Sequence, residues 1–223
     1  DGCGVGEQLA ARLRRGGHQV VLAEAGAQFA AIDSERFMLA PEKESSYEQL
    51  IKHLRKQGQI PNKVVHLWTV TSREEVSQLT SETIETTLQQ GFYSLFYLAR
   101  ALGNYGTGTP CEIASVSSDM QAVTSHMRVQ PAKAAVLGTY KIIPQEYADL
   151  QCASIDIVLP QKTDAQTLES LADQLLSEMF PVMSRDILAL RADRRWQRTY
   201  EPTPIPAAEY EVVQLRQGGG YLI

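Results

Sequence analysis

The sequence predicts an α/β fold built on a mainly parallel sheet. Short β-branched, apolar runs alternate with stretches of helical periodicity, the order that lays helices over the faces of a parallel sheet. One run, Lys63-Val-Val-His-Leu-Trp-Thr-Val70, is too continuously apolar for a solvated edge and suits burial on both faces. A length of 223 residues with ordinary globular composition can bury a full core, as one domain or as one domain with an appendage.

Glu7 to Arg15 reads as a helix with Leu9, Ala10 and Leu13 on one face, ended by Gly16-Gly17. Val20-Val21-Leu22 follows as a strand, and Phe37-Met38-Leu39 as another short one. Ser46 is the expected N-cap of a helix from Tyr47 to Gln57, where Leu50, Ile51 and Leu54 recur at helical spacing and Gly58 closes it. The Lys63 to Val70 run is expected at the centre of the sheet. Thr80 to Leu102 carries Leu88, Phe92, Leu95, Phe96 and Leu98-Ala99 with helical recurrence, and Gly103 is expected to stop it.

Glu112 to Ser117 is a further strand. Pro131 suits the first turn of a helix through Leu137, where its missing N–H costs nothing. Cys152 to Leu159 is the next strand, and Thr163 or Asp164 caps an amphipathic helix through Leu176. Asp186 to Tyr200 reads as a hairpin turning near Asp193. Pro202, Pro204 and Pro206 then mark a linker. The expected division is therefore a domain over 1–201, followed by a linker and the start of a separate strand over 202–223. Gly218-Gly219-Gly220 leads into the apolar Tyr221-Leu222-Ile223, and Asp1 to Gly6 opens in a glycine-rich turn, so both ends read as cuts through a longer polypeptide.

A net charge of -5 offers no general attraction to nucleic acid or to anionic membranes, so neither is expected as a partner. With no apolar run of about 18 residues and no signal segment, the expected location is cytoplasmic. Cys3, Cys111 and Cys152 are odd in number and far apart, which fits buried free thiols better than a disulfide framework. The four histidines, His18, His53, His66 and His126, show no metal-ligand spacing, and His66 inside its apolar run reads as a neutral, hydrogen-bonded core residue.

Gly2, Gly4 and Gly6 precede a helix, and Glu24 stands where a dinucleotide-binding unit would hold the ribose. The spacing is Gly-x-Gly-x-Gly, however, and Glu7 occupies the place of the third glycine, where it would repel a pyrophosphate at the helix start. A tight turn is the expectation, with an autonomous nicotinamide site at Gly2 to Gly6 as the alternative. A short-chain reductase needs a Tyr to protonate the carbonyl oxygen, with a Lys one helical turn along. No tyrosine here has that lysine; Tyr140 has Lys141 beside it and Pro144 four residues on. Ser115, Ser117 and Ser118 lack a Gly-x-Ser-x-Gly elbow and read as turn residues. Arg191, Arg194, Arg195 and Arg198 around Trp196 read as a solvated hairpin or a contact with a neighbouring domain.

Three stretches, Val64-Val-His-Leu-Trp68, Gly91-Phe-Tyr-Ser-Leu-Phe-Tyr-Leu-Ala99 and Lys141-Ile-Ile-Pro-Gln-Glu-Tyr147, resemble the ketoreductase region of modular type I polyketide synthases. Their order, with Leu215 to Ile223 following, extends the resemblance over nearly the whole chain. In that family the ketoreductase has a structural half with a truncated nucleotide-binding fold and a catalytic half; this chain resembles the first. The resemblance implies a truncated Rossmann-like three-layer sandwich. It also implies a parent multienzyme, expected to be homodimeric, that uses NADPH to reduce the β-keto group of a polyketide thioester on the phosphopantetheine arm of an acyl carrier protein.

The family's catalytic Ser, Tyr and Lys or Asn, and its glycine motif, lie in the other half, so no catalytic, cofactor or metal residue is expected here. What transfers is packing against the catalytic half, at His66, Leu67, Trp68, Phe92, Tyr93, Pro144, Gln145, Glu146, Tyr147 and Tyr221, with Tyr221 opening the first strand of that half. An inactive parent, with this half as scaffold only, is the remaining alternative.

Overall fold

Helix α1 (Val5–Arg15) buries Val5, Leu9 and Ala10 and keeps its arginines outside. The turn before it needs glycine at one position, Gly4, whose φ is +84°. In the computed structural model, residues 1–72, 79–106, 108–125, 127–159, 164–180, 186–192, 194–204 and 216–221 are described. The hairpin turn at Asp193, the alternative cap Thr163, His126, Pro206, and Leu222 and Ile223 lie outside them.

After α1 come β1 (Leu22–Ala25), β2 (Ala30–Ala31) and β3 (Arg36–Leu39). They form a small sheet of order β1-β3-β2, with β1 parallel and β2 antiparallel to β3. Helix α2 (Glu44–Lys56) leads to β4 (Lys63–Thr69), α3 (Ser81–Leu88), a π-helical turn at Gln89–Tyr93 and α4 (Ser94–Tyr105). Strand β5 (Cys111–Ser118), a 3-10 turn at Pro131–Ala135, α5 (Val136–Glu146), β6 (Leu150–Ile157), α6 (Ala165–Met179), β7 (Ile187–Arg191) and β8 (Arg194–Gln197) complete the described elements. The second sheet has order β4-β5-β6-β7-β8, parallel from β4 to β7 and antiparallel at β8.

Three layers result. On one face Leu50, Ile51 and Leu54 of α2, Leu95 of α4 and Ile143 of α5 pack on Phe37, Ile113 and Cys152 of the strands. On the other, Leu9 of α1 and Leu168, Leu171 and Leu175 of α6 pack on Ala114, Val116, Ile155 and Ile157. Alternation along β5 sends Ile113 to the first face and Ala114 to the second, as the period of a strand requires. The fold is the expected α/β sandwich on a mainly parallel sheet.

Several expectations need correction. Strand β4 lies at an edge of the five-stranded sheet, not at its centre. Its apolar character arises because helices cover both its faces, with Val65 and Leu67 toward α1 and α6, and Val64 and Trp68 toward α2 and α4. Ser46 lies inside α2, which begins at Glu44, and its Oγ accepts from the Ala40 N–H at 3.4 Å. Gly103 does not stop α4; the helix runs to Tyr105, and Gly103 is a close approach where an added Cβ would strike the Tyr147 ring. The helix after Pro131 runs past Leu137 to Glu146, carrying Pro144 in its last turns. Ser115, Ser117 and Ser118 are buried strand residues of β5, not turn residues.

Asp164 is the N-cap of α6, accepting from the Thr167 N–H at 2.9 Å. Cys111 and Cys152 are buried, as expected, and burial pushes both thiols up to about 12. Cys3 is only half-buried.

Candidate functional site

The two places where an α/β chain of this plan does chemistry are the start of its first helix and the carboxyl ends of its strands. At the first, the carboxylate of Asp1 takes the backbone donors for itself. Its Oδ1 accepts from the N–H groups of Cys3 (2.9 Å) and Val5 (3.1 Å), and its Oδ2 from that of Gly6 (2.8 Å). Glu7 and Glu24 both face Arg36, whose guanidinium lies 3.3 Å from Glu7 Oε1 and 3.9 Å from Glu24 Oε1. The residues present do not fit a dinucleotide: a pyrophosphate would have to displace the Asp1 carboxylate and then sit beside Glu7. Gly6 serves packing, since a Cβ there would come 3.3 Å from Leu67 Cδ1.

At the carboxyl ends of β4 and β5 a cluster stands that the sequence reading passed over. Lys133, 2% exposed, donates from Nζ to Thr71 Oγ1 (2.8 Å), Ser118 Oγ (2.9 Å) and the Ser118 carbonyl (2.9 Å). Ser118 Oγ also donates to the Thr71 carbonyl at 2.9 Å. A strand-end Ser and a Lys on the following helical turn are two of the residue types a short-chain reductase uses. The third is missing, because the position four before Lys133 is Val129. A tyrosine-to-lysine spacing cannot reveal this cluster, because Val129 stands where the tyrosine would be. As built, Lys133 ties the ends of two strands together.

Further along the sheet, Asp156 is fully buried and accepts from the N–H groups of Met120 (2.8 Å) and Gln121 (2.9 Å) and from Arg191. Burial raises its carboxyl, while these donors hold it down. Arg191 is thus an internal tie of β7 to β6 and not part of a solvated cluster, whereas Arg194, Arg195 and Arg198 are exposed as expected.

His66 is the neutral core residue expected. It is 7% exposed, its Nε2 lies 2.7 Å from Ser94 Oγ, and burial lowers it to about 4. Trp68 packs half-buried beside it, with Tyr47 across at 6.4 Å between ring centroids. Leu67, Phe92, Pro144 and Tyr147 are half-buried, Tyr147 against Gly103. Tyr93, Gln145, Glu146 and Tyr221 are exposed, so within this chain they are surface. The structure therefore gathers His66, Leu67 and Trp68 on one strand, and leaves Tyr221 apart, its hydroxyl accepting from the Arg216 N–H at 2.8 Å. Among the described residues no group of three or more His, Cys, Asp or Glu could hold a metal, and no helix is long and apolar enough to cross a membrane.

A mainly parallel sheet with a glycine turn into its first helix makes the fold Rossmann-like. Solved structures agree on the fold: a short-chain dehydrogenase from Mycobacterium avium shares 11% identity at a TM-score of 0.62, over 93% of this chain and 86% of that one. This chain belongs to the family described as beta-ketoacyl synthase-like, N-terminal, whose model matches residues 5–176. It is similar to an adenylation, ketoreductase and pseudo Asub structure of a keto acid-selecting NRPS module, with 23% identity, a TM-score of 0.76, and coverage of 87% of this chain and 16% of that one. It is similar too to an N-terminal ketoreductase from a macrolactin assembly line, with 16% identity, a TM-score of 0.65, and coverage of 90% and 40%. The chain thus spans far less than two thirds of either assembly-line structure. No curated protein matches it. The resemblance to the structural half of a polyketide synthase ketoreductase stands with these findings.

Proposed function

We propose that this chain is the non-catalytic structural half of an NADPH-dependent ketoreductase in a modular polyketide synthase. The observation that carries the reading is the Asp1 carboxylate seated on the N–H groups of Cys3, Val5 and Gly6, where a cofactor's phosphate would need to bind. Val129 in place of a proton-donating tyrosine, and a Lys133 already held by Thr71 and Ser118, support it from the strand ends. An autonomous nicotinamide site at Gly2 to Gly6 would set the cofactor's pyrophosphate against the carboxylates of Asp1 and Glu7.

In this reading the chain's partner is the catalytic half of the same polypeptide, and the parent, a cytoplasmic homodimer, reduces the β-keto group of an intermediate carried by the acyl carrier protein. Rigid packing beneath a catalytic constellation has value of its own, because small displacements of reacting groups cost rate. The test is turnover by this chain alone, with NADPH and a β-keto thioester. No loss of NADPH absorbance above the no-protein control is expected, and steady oxidation that depends on the thioester would refute the reading.

A further inference from the structure

We propose that the free edge of β8 binds an extended, acidic segment of a partner protein. The segment adds one strand to the sheet, with carboxylates against Arg194 and Arg198 and an apolar side chain between them on Trp196. The inference holds whether or not the chain is catalytic, since no residue of β8 enters that reading. Among the described residues β8 ends its sheet, bonded to β7 on one side and to no strand on the other.

The ladder shows which groups the edge offers. The Arg198 N–H donates to the Ile187 carbonyl at 3.0 Å, and in the same phase Trp196 pairs with Ala189 and Arg194 with Arg191. Peptide groups alternate along an antiparallel strand, so those of Arg194, Trp196 and Arg198 turn toward β7, and those of Arg195 and Gln197 turn outward. Donors and acceptors at strand spacing therefore stand along the open side, and an extended backbone satisfies them together. A nucleic acid could meet the arginines but has no peptide groups to match this row.

The side chains choose the partner. Arg194, Trp196 and Arg198 share one face of the strand, while Arg195 projects to the other, where Glu178 of α6 takes its guanidinium at 2.9 Å. Arg194 and Arg198 have no carboxylate partner among the described residues; Arg198 lies over the Tyr200 ring, 5.3 Å from its centroid. From Arg194 to Tyr200 there are three arginines and no acid, in a chain whose net charge is -5. This local charge selects an acidic segment and opposes a second copy, whose own β8 would set arginine against arginine. Charges at an edge also guard it against aggregation, but a guard has no use for an aromatic ring. Trp196 stands between the two arginines with 40% of its surface exposed, and Trp and Arg are the residue types that carry most binding energy at protein interfaces. Cross-strand pairing on this face then requires the sequence acid-x-apolar-x-acid in the partner, acids opposite the arginines and the apolar residue opposite Trp196.

The test titrates the full chain into a fluorescein-labelled, end-capped peptide, Thr-Glu-Thr-Val-Thr-Glu-Thr, and reads fluorescence anisotropy. Saturable binding is expected, with a dissociation constant of about 10–100 μM. Arg194→Glu combined with Arg198→Glu should weaken it by about tenfold or more, and Trp196→Ala by about fivefold. Circular dichroism checks that these exposed substitutions leave the fold intact. The same charge change placed elsewhere, Arg15→Glu with Lys56→Glu, should alter binding by less than about twofold in physiological salt. Two further peptides are N-methylated at alternate amides, one set each; the set that faces β8 should abolish binding and the other should retain it. No saturation by about 1 mM, equal binding of both methylated peptides, or equal weakening by the distant charge changes would overturn the proposal. Tighter binding of a short oligothymidylate, lost in the same β8 variants, would overturn it too, by assigning the patch to nucleic acid.

Discussion

Acidification should weaken this fold through His66 by an amount the structure supplies. The ring is buried and its burial lowers it to about 4, whereas a histidine in the unfolded chain titrates near 6.5. At pH values below about 6.5 the unfolded state binds a proton that the folded state refuses, so stability rises with pH across this window. The contribution is complete above about 6.5 and drains as pH falls toward about 4. Between pH of about 7.5 and about 4.5 the loss is on the order of 2–3 kcal/mol, from some two pH units at about 1.36 kcal/mol each. Carboxylates titrate over the same range, so the measurement is a comparison with His66→Gln. Glutamine can still meet Ser94 Oγ, now 2.7 Å from His66 Nε2, but takes up no proton. Urea unfolding followed by circular dichroism at both pH values should show wild type losing on the order of 2–3 kcal/mol more than the variant. Parallel losses in the two chains would refute the argument.

Gly103→Ala should destabilise by about 1–3 kcal/mol, because the new methyl strikes the Tyr147 ring; pairing it with Tyr147→Leu should recover part of the loss in a double-mutant cycle of unfolding free energies. Lys133→Met should cost about 2–4 kcal/mol in the same assay, since it strips the buried Ser118 carbonyl and Thr71 Oγ1 of a charged donor. A loss within experimental error would mean that Lys133 does not tie the strand ends.

Much of the layer structure was legible because it depends on local periodicity. Leu50, Ile51 and Leu54 mark the buried face of α2, and His66 inside an apolar run is a core residue wherever that run sits. The position of β4 was not legible, because continuous apolarity reports that both faces are covered and says nothing about what pairs along the edge. Gly103 was misread for a related reason: a glycine within a helix can end it or admit a neighbour, and only the Tyr147 ring decides which. Asp1 and Lys133 needed the third dimension. Asp1 acts on N–H groups two to five residues along, and Lys133 acts on Ser118 and Thr71, 15 and 62 residues away. Neither has a spacing motif of its own, although a strand ending in Ser-Ser followed by Pro-Ala-Lys could have prompted the search.

The central claim is that the helix start holds the chain's own carboxylate in place of a cofactor phosphate. Calorimetric titration of the chain with NADPH tests it most directly. No saturable heat is expected into the millimolar range, whereas a micromolar dissociation constant that is lost on substituting Gly4→Asp would contradict the account and assign the site to a nicotinamide cofactor.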